Sequence, residues 1–192
     1  MQHVLRCVRE NGYITDNGSR MYSHAFATLF LAEVYGMTLR HDVRRALQKS
    51  VNLIVDSQNS EGGWRYRPFA RESDMSIVVC QVLALRAARN IGIRVPKSTI
   101  DRAANYVVES AVTEDTGSGY RYPSYRSEIG TFHYQKDNHS RSSFPLTAAG
   151  VTALHGLGIY SDELIRKGID YLNENLTSFN TNSYGRKGHY FF

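Results

Sequence analysis

The residues able to do chemistry are few and scattered. Asp74, in Glu72-Ser73-Asp74-Met75-Ser76, stands directly before a long apolar stretch. An aspartate there either caps a helix by accepting backbone N–H groups, worth about 1 kcal/mol, or acts as an acid. His24 opens another apolar stretch and is read either as hydrogen-bonded near a helix end or as part of a cavity wall. His133 and His139, with Tyr134, Lys136 and Arg141, decorate residues 124–143, which read as an irregular loop. That loop is either solvated or a lid bringing cations over a pocket mouth, and the spacing of its histidines fits no common metal motif. Trp64, Tyr66, Tyr120 and Tyr122 either stack on a ligand or pack neighbouring helices in register. Arg65 and Arg121 suit pairing with helix-end carbonyls or acids. Cys7 and Cys80 are the only cysteines; both lie in apolar helical patterns, so two buried free thiols are expected and no disulfide. No G-x-S-x-G, P-loop or dinucleotide fingerprint occurs.

The elements that must position these groups read as helices. Residues 1–9 end one, closed by Asn11-Gly12. Residues 22–35 form an apolar helix with Ser23 as N-cap and Gly36 as stop. Residues 41–57 are amphipathic: Val43, Ala46, Leu47, Val51 and Ile54 recur at helical spacing, opposite Arg44, Arg45, Gln48 and Lys49. Helix 75–90 is apolar on several faces and stops at Asn90-Ile91-Gly92. An amphipathic helix over 98–110, an apolar one over 145–156 and an amphipathic one over 162–175, capped by Ser161 or Asp162, complete the series.

Apolar helix, glycine stop, amphipathic helix and glycine-aromatic turn thus alternate. The aromatic anchors Tyr13, Trp64, Tyr120 and Tyr184 recur roughly every 50–65 positions, a period that means stacked supersecondary units. The apolar helices are expected to form an inner layer and the amphipathic ones an outer layer.

The turn Gln58-Asn59-Ser60-Glu61-Gly62-Gly63-Trp64 resembles the Q-x-x-x-G-x-W repeat of squalene–hopene cyclases and protein prenyltransferase β subunits. The order Tyr22-Ser23-His24-Ala25, Glu33-Val34-Tyr35-Gly36, Gln58 and Gly62-Gly63-Trp64-Arg65-Tyr66 looks like the bacterial proteins that carry prenyltransferase/squalene-oxidase repeats. The resemblance covers nearly the whole chain, least at 124–143, and implies an all-α fold, an α/α-toroid arc of helical hairpins in one domain, 1–192. A complete toroid needs about twice as many hairpins. The expectation is therefore an incomplete ring: a segment of a longer protein, or a homo-oligomer through open repeat edges. In terpene cyclases of this resemblance the corresponding motif is D-x-D-D; Glu72 and Asp74 match its first two acids and Met75 replaces the third. In prenyltransferases it is D-x-C with a later zinc-binding histidine; Ser76 replaces the thiolate, so no metal or cofactor is expected.

The candidate set is Asp74 as acid, with Tyr22, His24, Glu72, Ser76, His133 and Arg141 as ligand-binding residues. Two functions follow. One is a non-catalytic binding or scaffold domain holding an isoprenoid-like or peptide ligand; the other is a terpenoid cyclase-like or prenyl-transferring enzyme. Net charge is +5 with Lys and Arg spread along the chain, so nucleic-acid binding is not expected. Met1–Glu10 has no signal-peptide pattern and no apolar run nears the ~20 residues of a membrane span, so a cytoplasmic setting is expected for this segment.

Overall fold

A computed structural model of the protein describes residues 1–113, 129–136, 138–160 and 162–180. Within these it is mostly helical: α1 (Gln2–Arg6), α2 (Met21–Thr38), α3 (His41–Asp56), α4 (Met75–Asn90), α5 (Lys97–Glu109), α6 (Phe144–Leu157) and α7 (Glu163–Asn180). A small antiparallel hairpin, β1 (His133–Gln135) and β2 (Asn138–Ser142), corrects the irregular-loop reading of 124–143. The hairpin forms because it has a neighbour to complete: β1 lies against α4, and Gln135 Nε2 donates to the Ser73 carbonyl at 3.3 Å. No helix of the described residues is long and apolar enough to cross a membrane.

Two layers follow from the two kinds of helix. The apolar helices α2, α4 and α6 pack side by side, with α4 in the middle and buried at eleven of its positions, from Met75 to Ala88. The amphipathic helices lie outside them, α3 against α2 and α4, α5 against α4 and α6, and α7 against α6. α3 and α5 turn their apolar stripes inward, through Val43, Leu47, Val51 and Ile54 in α3 and Ala103, Tyr106 and Val107 in α5, whereas α7 packs the half-buried Leu164 and Ile165 on the core and leaves Ile169 and Leu176 exposed.

Several helix ends differ from the sequence reading. α2 begins at Met21 with Arg20 as its cap residue, not Ser23, and the Met21 amide donates to the Tyr66 carbonyl at 3.0 Å. Gly36 does not stop α2. It lies inside the helix, where a Cβ would sit 3.2 Å from Ile91 Cγ2, and the helix leaves through left-handed Leu39 (φ 52). The glycine there serves close packing. α1 ends at Arg6; beyond it Val8 and Ile14 pair across a tight turn, so Asn11-Gly12 closes a turn instead of a helix.

That turn is the repeated unit. The Arg9 amide donates to the Tyr13 carbonyl at 2.9 Å and the Gly12 amide to the Arg9 carbonyl at 2.9 Å. Asn59, Gly62 and Gly63 make the same pair of bonds, both at 3.1 Å, and Val112, Gly130 and Thr131 make it again, both at 2.9 Å. The three glycines have φ of 87°, 90° and 90°. Each presses on the backbone of the next outer helix: a Cβ would meet the carbonyl oxygen of Lys49 at 2.2 Å, of Arg102 at 2.3 Å and of Lys167 at 2.6 Å. Two residues after each glycine a buried side chain enters the core, Ile14, Trp64 and Phe132. The feature all three described corners share is thus glycine in left-handed backbone, and the side chain two residues on is aromatic in two of them. Tyr13 is half-buried beside its anchor, and the predicted anchors Tyr120 and Tyr184 lie outside the described residues, as do Tyr122, Arg121 and Ser161.

Side chains complete the corner at Trp64. Gln58 Nε2 donates to the carbonyls of Gly62 at 2.8 Å and Thr99 at 2.9 Å, tying the turn to the start of α5. The Trp64 indole donates to the Ile54 carbonyl at 2.7 Å, satisfying one of the acceptors that the last turn of α3 leaves open.

Candidate functional site

The first turn of α4 gathers the chemistry. Asp74 caps the helix as the sequence indicates: its Oδ1 accepts from the Ile77 amide at 3.0 Å and from the Ser76 hydroxyl at 2.5 Å. The Ser76 hydroxyl is also 2.5 Å from the Tyr22 hydroxyl, at the start of α2. With Ser76 donating to the carboxylate, Tyr22 donates to Ser76, and the three form a relay running from inner helix to inner helix. Asp74 Oδ2 has no hydrogen-bond partner and faces Arg65 Nε at 4.0 Å. Asp74 is fully buried, and burial pushes its carboxyl above the usual carboxylate range, against the opposing pull of Ser76, the Ile77 amide and Arg65.

Tyrosines surround this cap. The Tyr22 and Tyr66 rings lie 6.0 Å apart at 48°, and the Tyr66 hydroxyl is bonded to that of Tyr134 on β1. The guanidinium groups of Arg20 and Arg65 lie 5.4 and 5.7 Å from the Tyr66 ring centre, within cation–π range. Burial raises the Tyr22 phenol to about 12 and also raises that of Tyr134, so both stay protonated donors at neutral pH. Cys80, bonded to the Ser76 carbonyl at 3.3 Å, is pushed up to about 12 by burial and by Asp74, which leaves an inert thiol. Cys7 is only half-buried, correcting the expectation of two buried thiols.

The structure therefore brings Tyr22, Asp74 and Ser76 together. Glu72 lies at the edge, its side chain 68% exposed and paired with Arg65. It is not a second acid facing the Asp74 carboxyl. His133 is buried, with its amide donating to the Ser110 carbonyl at 2.8 Å, which ties β1 to the end of α5. The side chains of Arg141 and His139 lie outside the described ones. Arg20 carries no signal in the sequence; only the fold puts its exposed side chain beside the Tyr66 ring. Tyr66 and Tyr134 were noted apart, and only the fold joins them.

His24 has a different task. Its Nδ1 accepts from the Ile14 amide at 3.0 Å and its Nε2 donates to the Ser50 carbonyl at 3.2 Å, clasping the first turn to α3. It is fully buried, which lowers its pKa from the ordinary 6.5 to about 4. Between these values the unfolded chain takes up a proton that the native imidazole refuses. Stability is therefore full above about 6.5 and falls as the pH drops toward 4, by about 3 kcal/mol in all. Urea unfolding at pH 7 and 4.5 is expected to show this loss, and His24→Gln, though less stable at pH 7, is expected to lose that slope. Equal slopes in the two proteins would contradict the assignment.

No known family model matches the chain, and neither a curated protein nor a solved structure does.

Proposed function

We propose that this protein is a non-catalytic binding domain built on helical-hairpin repeats of the prenyltransferase/squalene-cyclase type, an α/α-toroid arc. Its ligand seat is the group of Tyr22, Tyr66 and Tyr134 with Arg20 and Arg65 at the N-terminal ends of the inner helices. The observation that carries this reading is the commitment of Asp74: one carboxylate oxygen is spent on the Ile77 amide and the Ser76 hydroxyl, and Glu72 turns outward to Arg65. A proton donor strong enough to attack an alkene needs neighbours that raise its acidity, whereas burial here makes Asp74 a weaker acid. The Arg20 guanidinium beside the Tyr66 ring suits the anionic head of an isoprenoid-like ligand or the carboxylate of a peptide, while the hydroxyls of Tyr22, Tyr66 and Tyr134 are bonded to Ser76 and to each other and Arg65 is paired with Glu72, so the tyrosines contribute ring surface.

The test is a titration of the protein with farnesyl diphosphate and with a peptide ending in a free carboxylate, followed by amide chemical shifts. Tyr66→Ala and Arg20→Ala are expected to weaken whichever probe binds by about tenfold, from the loss of ring and guanidinium contacts. Shifts confined to residues away from the tyrosines would reject the seat. A second reading, Asp74 as a catalytic acid, draws on its Oδ2, which is buried without a hydrogen bond. Turnover of isoprenoid diphosphates or squalene by the unmodified protein, lost in Asp74→Asn, would establish that reading. No turnover is expected.

A further inference from the structure

We infer that His3, Cys7 and Asp16 form a binding site for a divalent transition-metal ion, of which zinc is the best fit. The three ligand atoms, His3 Nε2, Cys7 Sγ and one Asp16 carboxylate oxygen, lie within 4.8 Å of one another. His3 Nε2 is 3.6 Å from Cys7 Sγ and 3.3 Å from Asp16 Oδ2. Zinc bonds of about 2.3 Å to sulfur and about 2.0–2.1 Å to nitrogen or oxygen, at tetrahedral angles, put a sulfur and a nitrogen about 3.6 Å apart and a nitrogen and an oxygen about 3.3–3.4 Å apart. Two edges of a zinc tetrahedron are thus already in place around His3. The imidazole and thiol exclude calcium and magnesium, which take oxygen ligands, and favour a borderline-soft ion.

The backbone builds this arrangement. His3 and Cys7 are four apart, and the Cys7 amide donates to the His3 carbonyl at 3.2 Å, so their side chains share one face of a helical turn. The first repeat turn then folds the chain back. The Thr15 amide donates to the Cys7 carbonyl at 3.2 Å, which delivers the next residue, Asp16, to the same face. Asp16 is held there by the Ser19 hydroxyl, which accepts from its amide at 3.1 Å, and by the Ser19 amide, which donates to its carbonyl at 3.0 Å. The His3 and Asp16 side chains are 66% and 57% exposed, so an ion can enter from solvent and water can complete the fourth position. Binding takes Cys7 as thiolate, its proton passing to solvent, and joins α1 to the segment beyond the turn. This site is separate from the Asp74 cluster and does not depend on its function.

The experiment uses the untagged full chain, stripped with chelator and kept reduced with a phosphine, titrated with cobalt(II) and then zinc(II). One equivalent of cobalt is expected to bind with a thiolate-to-metal charge-transfer absorption that zinc abolishes, and zinc is expected to raise the melting temperature. Cys7→Ser is expected to remove the absorption. His3→Ala and Asp16→Asn, at exposed side chains, are expected to weaken binding about tenfold or more, each being one of three ligands. Cys80→Ala is expected to leave the titration unchanged. No charge-transfer band in the unmodified protein, or the same titration in Cys7→Ser and His3→Ala, overturns the inference.

Discussion

Alanine at Gly62 is expected to destabilise the protein by about 3–5 kcal/mol, which is several times the cost of an ordinary surface change. Two terms add. The backbone there has φ of 90°, which an L side chain adopts only at about 1–2 kcal/mol. The new methyl would also stand 2.3 Å from the Arg102 carbonyl oxygen and 2.9 Å from its carbon. Both are backbone atoms in the middle of α5, so no rotamer change can relieve the clash; the turn must lift off the helix. Gly92 is the internal control. Its φ is 82°, but nothing lies within 4 Å of an added Cβ, so only the conformational term remains and about 1 kcal/mol is expected. Urea unfolding of the two variants checks this. Equal losses would mean that the approach to Arg102 does not matter, and the equivalence of Gly12, Gly62 and Gly130 would lose its physical basis.

The second large effect is at Trp64. Trp64→Ala is expected to cost about 3–5 kcal/mol, because the indole is 1% exposed and its removal opens a cavity between the first turn of α4 and the end of α3. Trp64→Phe separates the two roles of the side chain. It keeps a ring in the core but removes the shorter of two hydrogen bonds to the Ile54 carbonyl, which keeps the Ser57 hydroxyl at 3.3 Å, so about 1 kcal/mol is expected from the lost bond. Trp64 is the only tryptophan, so unfolding must be followed by circular dichroism instead of fluorescence. If Trp64→Phe were as damaging as Trp64→Ala, the indole hydrogen bond and not the bulk of the ring would dominate. If both were mild, the corner would not be holding the hairpins together.

Much of the helical order was legible in the chain because its signals are local. The run from Met75 to Asn90 is apolar on several faces and is preceded by an aspartate, and the helix occupies that span with Asp74 accepting from the Ile77 amide. The stripe of α3 is readable from residue spacing alone, and both observations separate inner from outer helices. Where the reading failed, a distant partner had intervened. Gly36 looks like a helix stop, yet it lies within α2, where an added Cβ would stand 3.2 Å from Ile91. Gly119-Tyr120 copies the letters of Gly63-Trp64 but lies outside the described residues. A corner with the same bonds joins Val112 to Gly130 and Thr131, far apart in the chain where the other two corners have two residues between the bonded positions. A hydrogen-bond pair between positions so far apart leaves no fixed spacing to detect.

The candidate site divides in the same way. Asp74 and Ser76 are neighbours on one helical turn, so their pairing is implied once the helix is placed. Tyr22 lies 54 positions from Ser76, and Tyr66 lies 68 positions from Tyr134; no pattern in the chain pairs their hydroxyls. His24 shows the limit most clearly. A histidine at the mouth of an apolar helix is compatible with a ligand wall, but the Ile14 amide and the Ser50 carbonyl claim both of its nitrogens.

The amino-acid order by itself determined where helices form, which of them are apolar on several faces and which aspartate caps α4, since propensity, periodicity and capping act within a few residues of one another. Tertiary structure alone decided which glycines press on a neighbouring helix, that the third corner closes with Phe132, and which tyrosines share hydroxyl contacts. Those outcomes depend on distances between segments many positions apart, and such distances exist only after the layers have packed.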